Sequence, residues 1–194
     1  MEKNLITDVV NKYLDFYKDE KERVHIFLEY LDKYDGDAIS DWNNFDGHIA
    51  AGGFIYSLEE KKFLVLYHKD LKIYLYPGGH VDKEDINPLI TARREVFEET
   101  GINNLSLLNI TSDEIVPIDI DTHVIPYNER LDLPTHYHFE FRYLFVVDKI
   151  TDIKVDTSEL GDYRWMDMDE LYDNPYYGRI ASKLDNMLKG RSYE

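Results

Sequence analysis

The sequence predicts an α/β protein, a mixed sheet sandwiched between helical layers with a helical extension in front of it. Three observations carry that expectation. Strand-like segments recur between His48 and Met166 with turn residues between them. One helix interrupts them after Asn87, and another follows them near the C-terminus. Two further stretches of helical spacing precede the first strand.

The N-terminal stretches cover residues 5–17 (Leu5, Val9, Val10, Tyr13, Leu14, Tyr17) and 20–34 (Val24, Phe27, Leu28, Leu31). Asp35-Gly36-Asp37 marks a turn after them. Residues 1–45 therefore read as a helical extension, and 46–194 as the main domain including the C-terminal helix. Three uses stay open for the extension: burying a flank of the core, building a homodimer interface, or covering a cleft. In the main domain, His48–Tyr56 and Phe63–His68 read as a hairpin, and Ile73–Tyr76 runs into Pro77-Gly78-Gly79. Further strands are expected at Leu105–Thr111, Ile115–Ile125, His136–Val147 and Asp162–Met166. Asp167 suits the cap of a short helix, Met168–Tyr172, and a last helix spans Tyr177–Leu188.

The central helix is the best-marked element. Asn87 is a good N-cap, Pro88 fits the first helical position, and Gly101 sits where a C-cap glycine belongs. Its last turns carry Glu95, Glu98 and Glu99. At about 100° per residue, the second and third lie within roughly 60° of the first. Leu89, Ala92 and Val96 form one apolar stripe beside them, and Ile90 with Phe97 a second, so both flanks should be buried. Three like charges on one patch repel unless a cation binds them, and hard oxygen donors suit Mg²⁺ or Mn²⁺. A solvated acidic face is the bland alternative.

Two strands carry further chemistry. In His136–Tyr143, the residues His136, His138, Glu140 and Arg142 alternate with aromatics. Asp119, Asp121 and His123 alternate with Ile118, Ile120, Thr122 and Val124 in the same way, so antiparallel pairing would join both polar faces into one patch. A solvated sheet face explains the alternation equally well. A transition-metal site built from these histidines is the weaker reading, because nothing in the sequence sets ligand geometry.

Composition limits the function classes. The chain has 194 residues, 43% of them hydrophobic, enough for one cored domain. It has no cysteine, which excludes disulfides and thiolate chemistry. The N-terminus lacks an apolar signal core and no run reaches membrane-spanning length, so a soluble cytoplasmic protein without a membrane partner is expected. A formal net charge of −17 argues against nucleic acid and for a small phosphorylated metabolite escorted by divalent cations.

From Pro77 to Ile102 the sequence resembles the Nudix box of the Nudix hydrolase family. The pattern is a glycine (Gly79), an acid six residues on (Asp85), then Arg-Glu-apolar-x-Glu-Glu-x-Gly-apolar, matched in full from Arg94 to Ile102. One residue too many separates Asp85 from Arg94, so the spacing leaves open whether the family's brace between that acid and that arginine forms; Arg94 itself reads as structural, bracing the loop before the helix. The resemblance implies the Nudix α/β/α sandwich and a divalent-metal-dependent hydrolase that cleaves a diphosphate bond in a nucleoside diphosphate derivative. It gives Glu98 and Glu99 the metal, with Glu95 as ligand or base and a carbonyl of the Gly78-Gly79 turn completing the shell. Glu140 is the rival base. Arg142 would hold phosphate oxygens or form a cross-strand salt bridge, and His138 would face the substrate. Pro117, fifteen residues after Ile102, resembles the mark of ADP-ribose hydrolases. No tyrosine stands at Ile118, Asp119 or Ile120 to suggest a diadenosine polyphosphate hydrolase. Hydrolysis of noncanonical nucleoside triphosphates and a non-catalytic nucleotide-sensing module are the alternatives.

Overall fold

A computed structural model describes residues 1–111, 113–129 and 132–190; residues 191–194 of the expected main domain lie outside the described residues. The elements in chain order are α1 (Lys3–Phe16), α2 (His25–Lys33), β1 (Gly47–Ser57), β2 (Lys62–His68), β3 (Ile73–Leu75), β4 (Gly78–His80), α3 (Pro88–Thr100), β5 (Ser106–Leu107), β6 (Asp119–Ile125), β7 (His136–Val147), β8 (Leu160–Asp167), α4 (Met168–Asp173) and α5 (Gly178–Gly190). Short 3₁₀ turns occupy Lys18–Arg23 and Gly36–Ile39.

The sheet is mixed, as expected. β1 and β7 pair in parallel along their whole shared length, while β2, β3, β4, β5, β6 and β8 join antiparallel. Alternation along β1 and β7 splits their side chains between two cores. Ile49, Ala51, Ile55, Phe139, Phe141 and Phe145 face α1, α2 and α3, where Phe27 stacks on Phe139 with ring centroids 4.6 Å apart. Phe54, Tyr56, Leu144 and Val146 face α4 and α5, against Tyr177, Ile180 and Leu184. Both layers are thus helical, and the α/β sandwich read from the sequence is the observed architecture.

Core burial, one of the three uses open to the N-terminal segment, is present in the fold. Ile6, Val10, Tyr13, Phe27 and Leu31 enter the same apolar cluster as the sheet. The stretch expected as one helix over 20–34 breaks instead. A 3₁₀ turn over Lys18–Arg23 turns Glu20 and Arg23 onto the sheet edge, where both find ionic partners. Two strands are also shorter than their apolar runs suggested. β5 keeps only Ser106–Leu107 and β6 starts at Asp119, because Asn109 ties the intervening loop together by accepting from Val116 N at 3.0 Å and donating to Thr111 O. No helix among the described residues is long and apolar enough to cross a membrane.

Candidate active site

α3 forms where its caps predict. The Asn87 side chain accepts a hydrogen bond from Ile90 N at 3.0 Å, and Gly101 closes the helix with φ 72°, a conformation glycine adopts without strain. Ala92 and Val96 are fully buried. The second stripe is not: Ile90 is 37% and Phe97 52% exposed. Periodicity locates stripes but not their neighbours, and here only one flank meets the sheet. The acidic edge stands between that buried flank and solvent, with Glu95 and Glu99 half-buried and Glu98 exposed.

Arg94 organises the edge. Its Nη2 donates to Asp85 Oδ2 at 2.8 Å and to the His80 carbonyl at 2.7 Å, and its Nε lies 3.2 Å from the same carboxylate. Its Nη1 reaches Glu95 Oε1 at 2.8 Å and Glu98 Oε2 at 3.0 Å. The Asp85–Arg94 brace, which the spacing left open, therefore forms. The additional residue falls in the loop, where Asp82 to Asp85 closes a turn and Ile86 stands 68% exposed. Asp85 is buried, which alone would raise its pKa, but the Arg94 hydrogen bonds hold it below the usual carboxylate range.

β4 brings the glycine turn against the helix. Gly78 N donates to Glu99 Oε2 at 3.2 Å. A Cβ on Gly79 would lie 2.7 Å from the Glu95 carboxyl carbon, so only glycine lets this backbone and that carboxylate touch. Burial pushes the Glu95 carboxyl up to about 7, although Arg94 opposes the shift. Burial and the neighbouring Glu95 charge push Glu99 up to about 8. Two carboxyls crowded in a half-dry notch beside an exposed third ionise only at a cost, which a bound cation would relieve.

A family model described as NUDIX domain matches residues 46–185. The chain belongs to the Nudix family. It is 31% identical over 106 residues, 55% of its own length, to a probable DHNTP pyrophosphohydrolase of Lactococcus lactis, and spans 58% of that protein. It is 25% identical over 148 residues to an RNA pyrophosphohydrolase of Bartonella henselae, covering 67% of this chain and 82% of that one. Among solved structures, a Caenorhabditis elegans Ap4A hydrolase in a binary complex superposes with a TM-score of 0.55 at 22% identity, over 74% of this chain and 98% of that one. That likeness concerns the fold. The expected class, a Nudix-type hydrolase domain for acid anhydrides, is met.

The remaining sequence-derived candidates lie elsewhere on the Nudix sheet. Pairing of β6 with β7 does join the two polar faces: Asp119 stands opposite Arg142, Asp121 opposite Glu140, and His123 opposite His138. This patch is on the α5 side, however, while the Nudix helix α3 packs on the other side through Val96 and Phe145. Strand alternation therefore separates Glu140, Arg142 and His138 from the three glutamates. Arg142 is buried and bonded to Tyr76 Oη, Asp119, Asp121 and Glu140, so its guanidinium is occupied by the salt-bridge role rather than held open for phosphate. Glu140 is its partner at 3.0 Å. His138 faces other histidines; burial first, then the neighbouring His48 and His80 rings, lower its pKa and keep it neutral.

Sequence reasoning missed the cations that complete this patch. Arg179 and Lys183 on α5, with Arg23, all converge on Asp119. Their only sequence signal is i,i+4 spacing on one helix face. A cleft of about 420 Å³ lies between α2 and the β6–β7 end, lined by Tyr30, Phe45, Val124, His136 and Phe139 among others, and reaches none of the glutamates.

Gly79→Ala should cut kcat roughly 100-fold, the scale of a 1 Å misplacement of a reacting group. The fold should survive, because the atom met is the far end of a flexible side chain. Steady-state kinetics beside a circular dichroism melt would check both, and an unchanged kcat would mean that Glu95 does not need this backbone contact.

Proposed function

We propose that this chain is a divalent-metal-dependent pyrophosphohydrolase of a small nucleotide-like metabolite, with Mg²⁺, or Mn²⁺ in its place, as the working ion. The observation that carries the reading is the carboxylate notch: Glu95 and Glu99 packed against Gly78-Gly79, with Glu98 at the rim and Arg94 holding two of the three. Glu95, Glu98, Glu99 and the Gly79 carbonyl are a hard-oxygen donor set that fits such an ion, and Nudix hydrolases generally use one. When bound, the ion supplies charge neutralisation on diphosphate oxygens. Residues 46–194 would form the hydrolase unit, and 1–45 an extension to it.

The protein's own groups supply the rest. Arg94 orients Glu95 and Glu98, and Glu95 accepts the proton of the attacking water as its oxygen bonds to phosphorus. The P–O bond to the leaving phosphate or nucleotide then breaks, and its oxygen departs with the electron pair. Glu140, tied to Arg142 on the far face, is the poorer base. The six arginines among the described residues (Arg23, Arg93, Arg94, Arg142, Arg164 and Arg179) each have a partner within the fold. With those guanidiniums engaged and a net charge of −17, a bound divalent cation would carry much of the screening of substrate charge, which favours a small metabolite over an RNA end.

Product analysis by mass spectrometry, with Mg²⁺ and with chelator, tests the proposal. The panel holds dihydroneopterin triphosphate, ADP-ribose, nucleotide sugars, dinucleoside polyphosphates, noncanonical nucleoside triphosphates and a 5′-triphosphorylated RNA. Metal-dependent cleavage of a small substrate supports it. Preference for the RNA would overturn the substrate class, and binding without turnover across the panel would make this a nucleotide sensor.

A pH effect follows from the raised carboxyls. Unfolded glutamate titrates near 4.3, so a folded value of about 7 for Glu95 and about 8 for Glu99 means that the fold prefers the protonated forms. Their contribution to metal-free stability is complete below that unfolded value and is lost as pH rises through about 8. Bound Mg²⁺ removes the penalty. The Mg²⁺-induced rise in Tm should therefore be larger at pH 8 than at pH 6, and a rise independent of pH would speak against binding in the notch.

A further inference from the structure

Five of the seven histidines in the chain gather on the sheet face opposite α3. Parallel pairing sets His48 of β1 beside His138 of β7, while β4 carries His80 alongside and β6 carries His123 on the other flank. We propose that His48, His136 and His138, with His80 as the fourth ligand, bind a zinc-class divalent transition metal ion at a site separate from the carboxylate notch.

The geometry that the sequence could not supply is present. One nitrogen from each of His48, His136 and His138 lies within 4.8 Å of the others. His138 Nε2 stands 3.2 Å from His136 Nε2 and 3.4 Å from His80 Nε2. A tetrahedral ion with bonds of about 2.0–2.1 Å requires ligand nitrogens about 3.3–3.4 Å apart. The His138–His136 and His138–His80 spacings already match that requirement, and small ring rotations would bring the wider His48 spacing to it.

The outer contacts point the same way. His136 Nδ1 lies 2.7 Å from the Pro134 carbonyl, which makes Nδ1 the protonated nitrogen and leaves Nε2 a bare lone pair. His48 Nδ1 faces the Asn44 carbonyl at 3.5 Å in the same sense. Zinc-bound imidazoles are held in this way, donating the other N–H to a carbonyl. His48 is 1% exposed, and its Nε2 is buried without a hydrogen-bond partner. His138 Nε2 faces both His136 Nε2 and His80 Nε2, so a single N–H on it cannot serve both. An ion can, and imidazole nitrogen suits zinc-class metals over Mg²⁺. Such an ion would tie β1, β4 and β7 together at the point where the His80 carbonyl anchors Arg94.

The test uses the full chain, Co²⁺ as an optical probe of tetrahedral nitrogen coordination, and excess Mg²⁺ to keep the probe off carboxylates. One equivalent should bind with the intense visible bands of a tetrahedral site. His136→Gln and His138→Gln should weaken binding by more than the roughly 10–100-fold that loss of an outer contact costs, while Glu99→Gln should leave the bands intact. Absence of the bands, or their survival in both histidine variants, overturns the proposal, as does their loss in Glu99→Gln alone. Zinc X-ray absorption on the unmodified protein covers the case in which the variants do not fold. A shell of nitrogens at about 2.0–2.1 Å with imidazole scattering supports the site; a six-oxygen shell refutes it.

Discussion

Glu99→Gln should lower kcat by roughly 10²–10³-fold, the cost of removing one preorganised group that stabilises developing charge. The substitution is nearly isosteric, and the amide oxygen can still accept from Gly78 N. What it removes is the charge. Metal-free stability should not fall, and should rise above neutral pH, because burial penalises the ionised carboxylate it replaces. Rate and stability therefore move in opposite directions, which separates this outcome from misfolding. Turnover against Mg²⁺ concentration, beside a melt in chelator, reads both. Near-normal turnover with unchanged Mg²⁺ dependence would take α3 out of the reaction. Glu140→Gln is the comparison: it breaks a salt bridge to Arg142 across the sheet, so it should lower Tm and change kcat by less than about tenfold, below the usual range for losing a general base.

That contrast marks what local sequence could reveal. The bounds of α3 were legible because Asn87, Pro88 and Gly101 act within their own turns, and its register then placed the glutamates. The polar face of β7 was legible because alternation has a fixed period. Which layer each face meets was not, since it depends on β1 pairing in parallel with β7 across about ninety residues of chain. The Asp85–Arg94 brace was hidden for a related reason. Motif spacing counts residues, whereas the loop around exposed Ile86 decides how far apart their side chains end. The histidine cluster combines both difficulties, drawing one residue each from β1, β4 and β6 and two from β7.

The largest stability effect should come from Asp119→Ala, at about 3–5 kcal/mol, the range for removing one partner from a buried ionic group. Asp119 is 0% exposed and receives Arg179 at 2.8 Å, Arg142 at 3.1 Å, Arg23 at 3.2 Å and Lys183 at 3.3 Å. Alanine would leave those cations facing one another around a hole, with Asp121, Glu20 and Glu140 placed to answer only part of their charge. Urea denaturation at pH 7 measures the loss, and a value under about 1 kcal/mol would reduce the network to the weight of surface salt bridges. Acid adds a second readout. Burial alone would raise the Asp119 pKa, but the Arg179 hydrogen bonds and the Arg142 and Lys183 charges hold it far below the usual carboxylate range. Its stabilisation is complete above the unfolded value near 3.9 and is lost as pH falls below it. The parent protein should therefore lose stability steeply on going from pH 5 to pH 3, and Asp119→Ala less steeply. In this chain acidic residues outnumber lysine and arginine 39 to 22. Four of the cations meet on this one aspartate because they come from α5, β7 and the N-terminal segment, so a single buried charge fastens three parts of the fold to the edge strand β6.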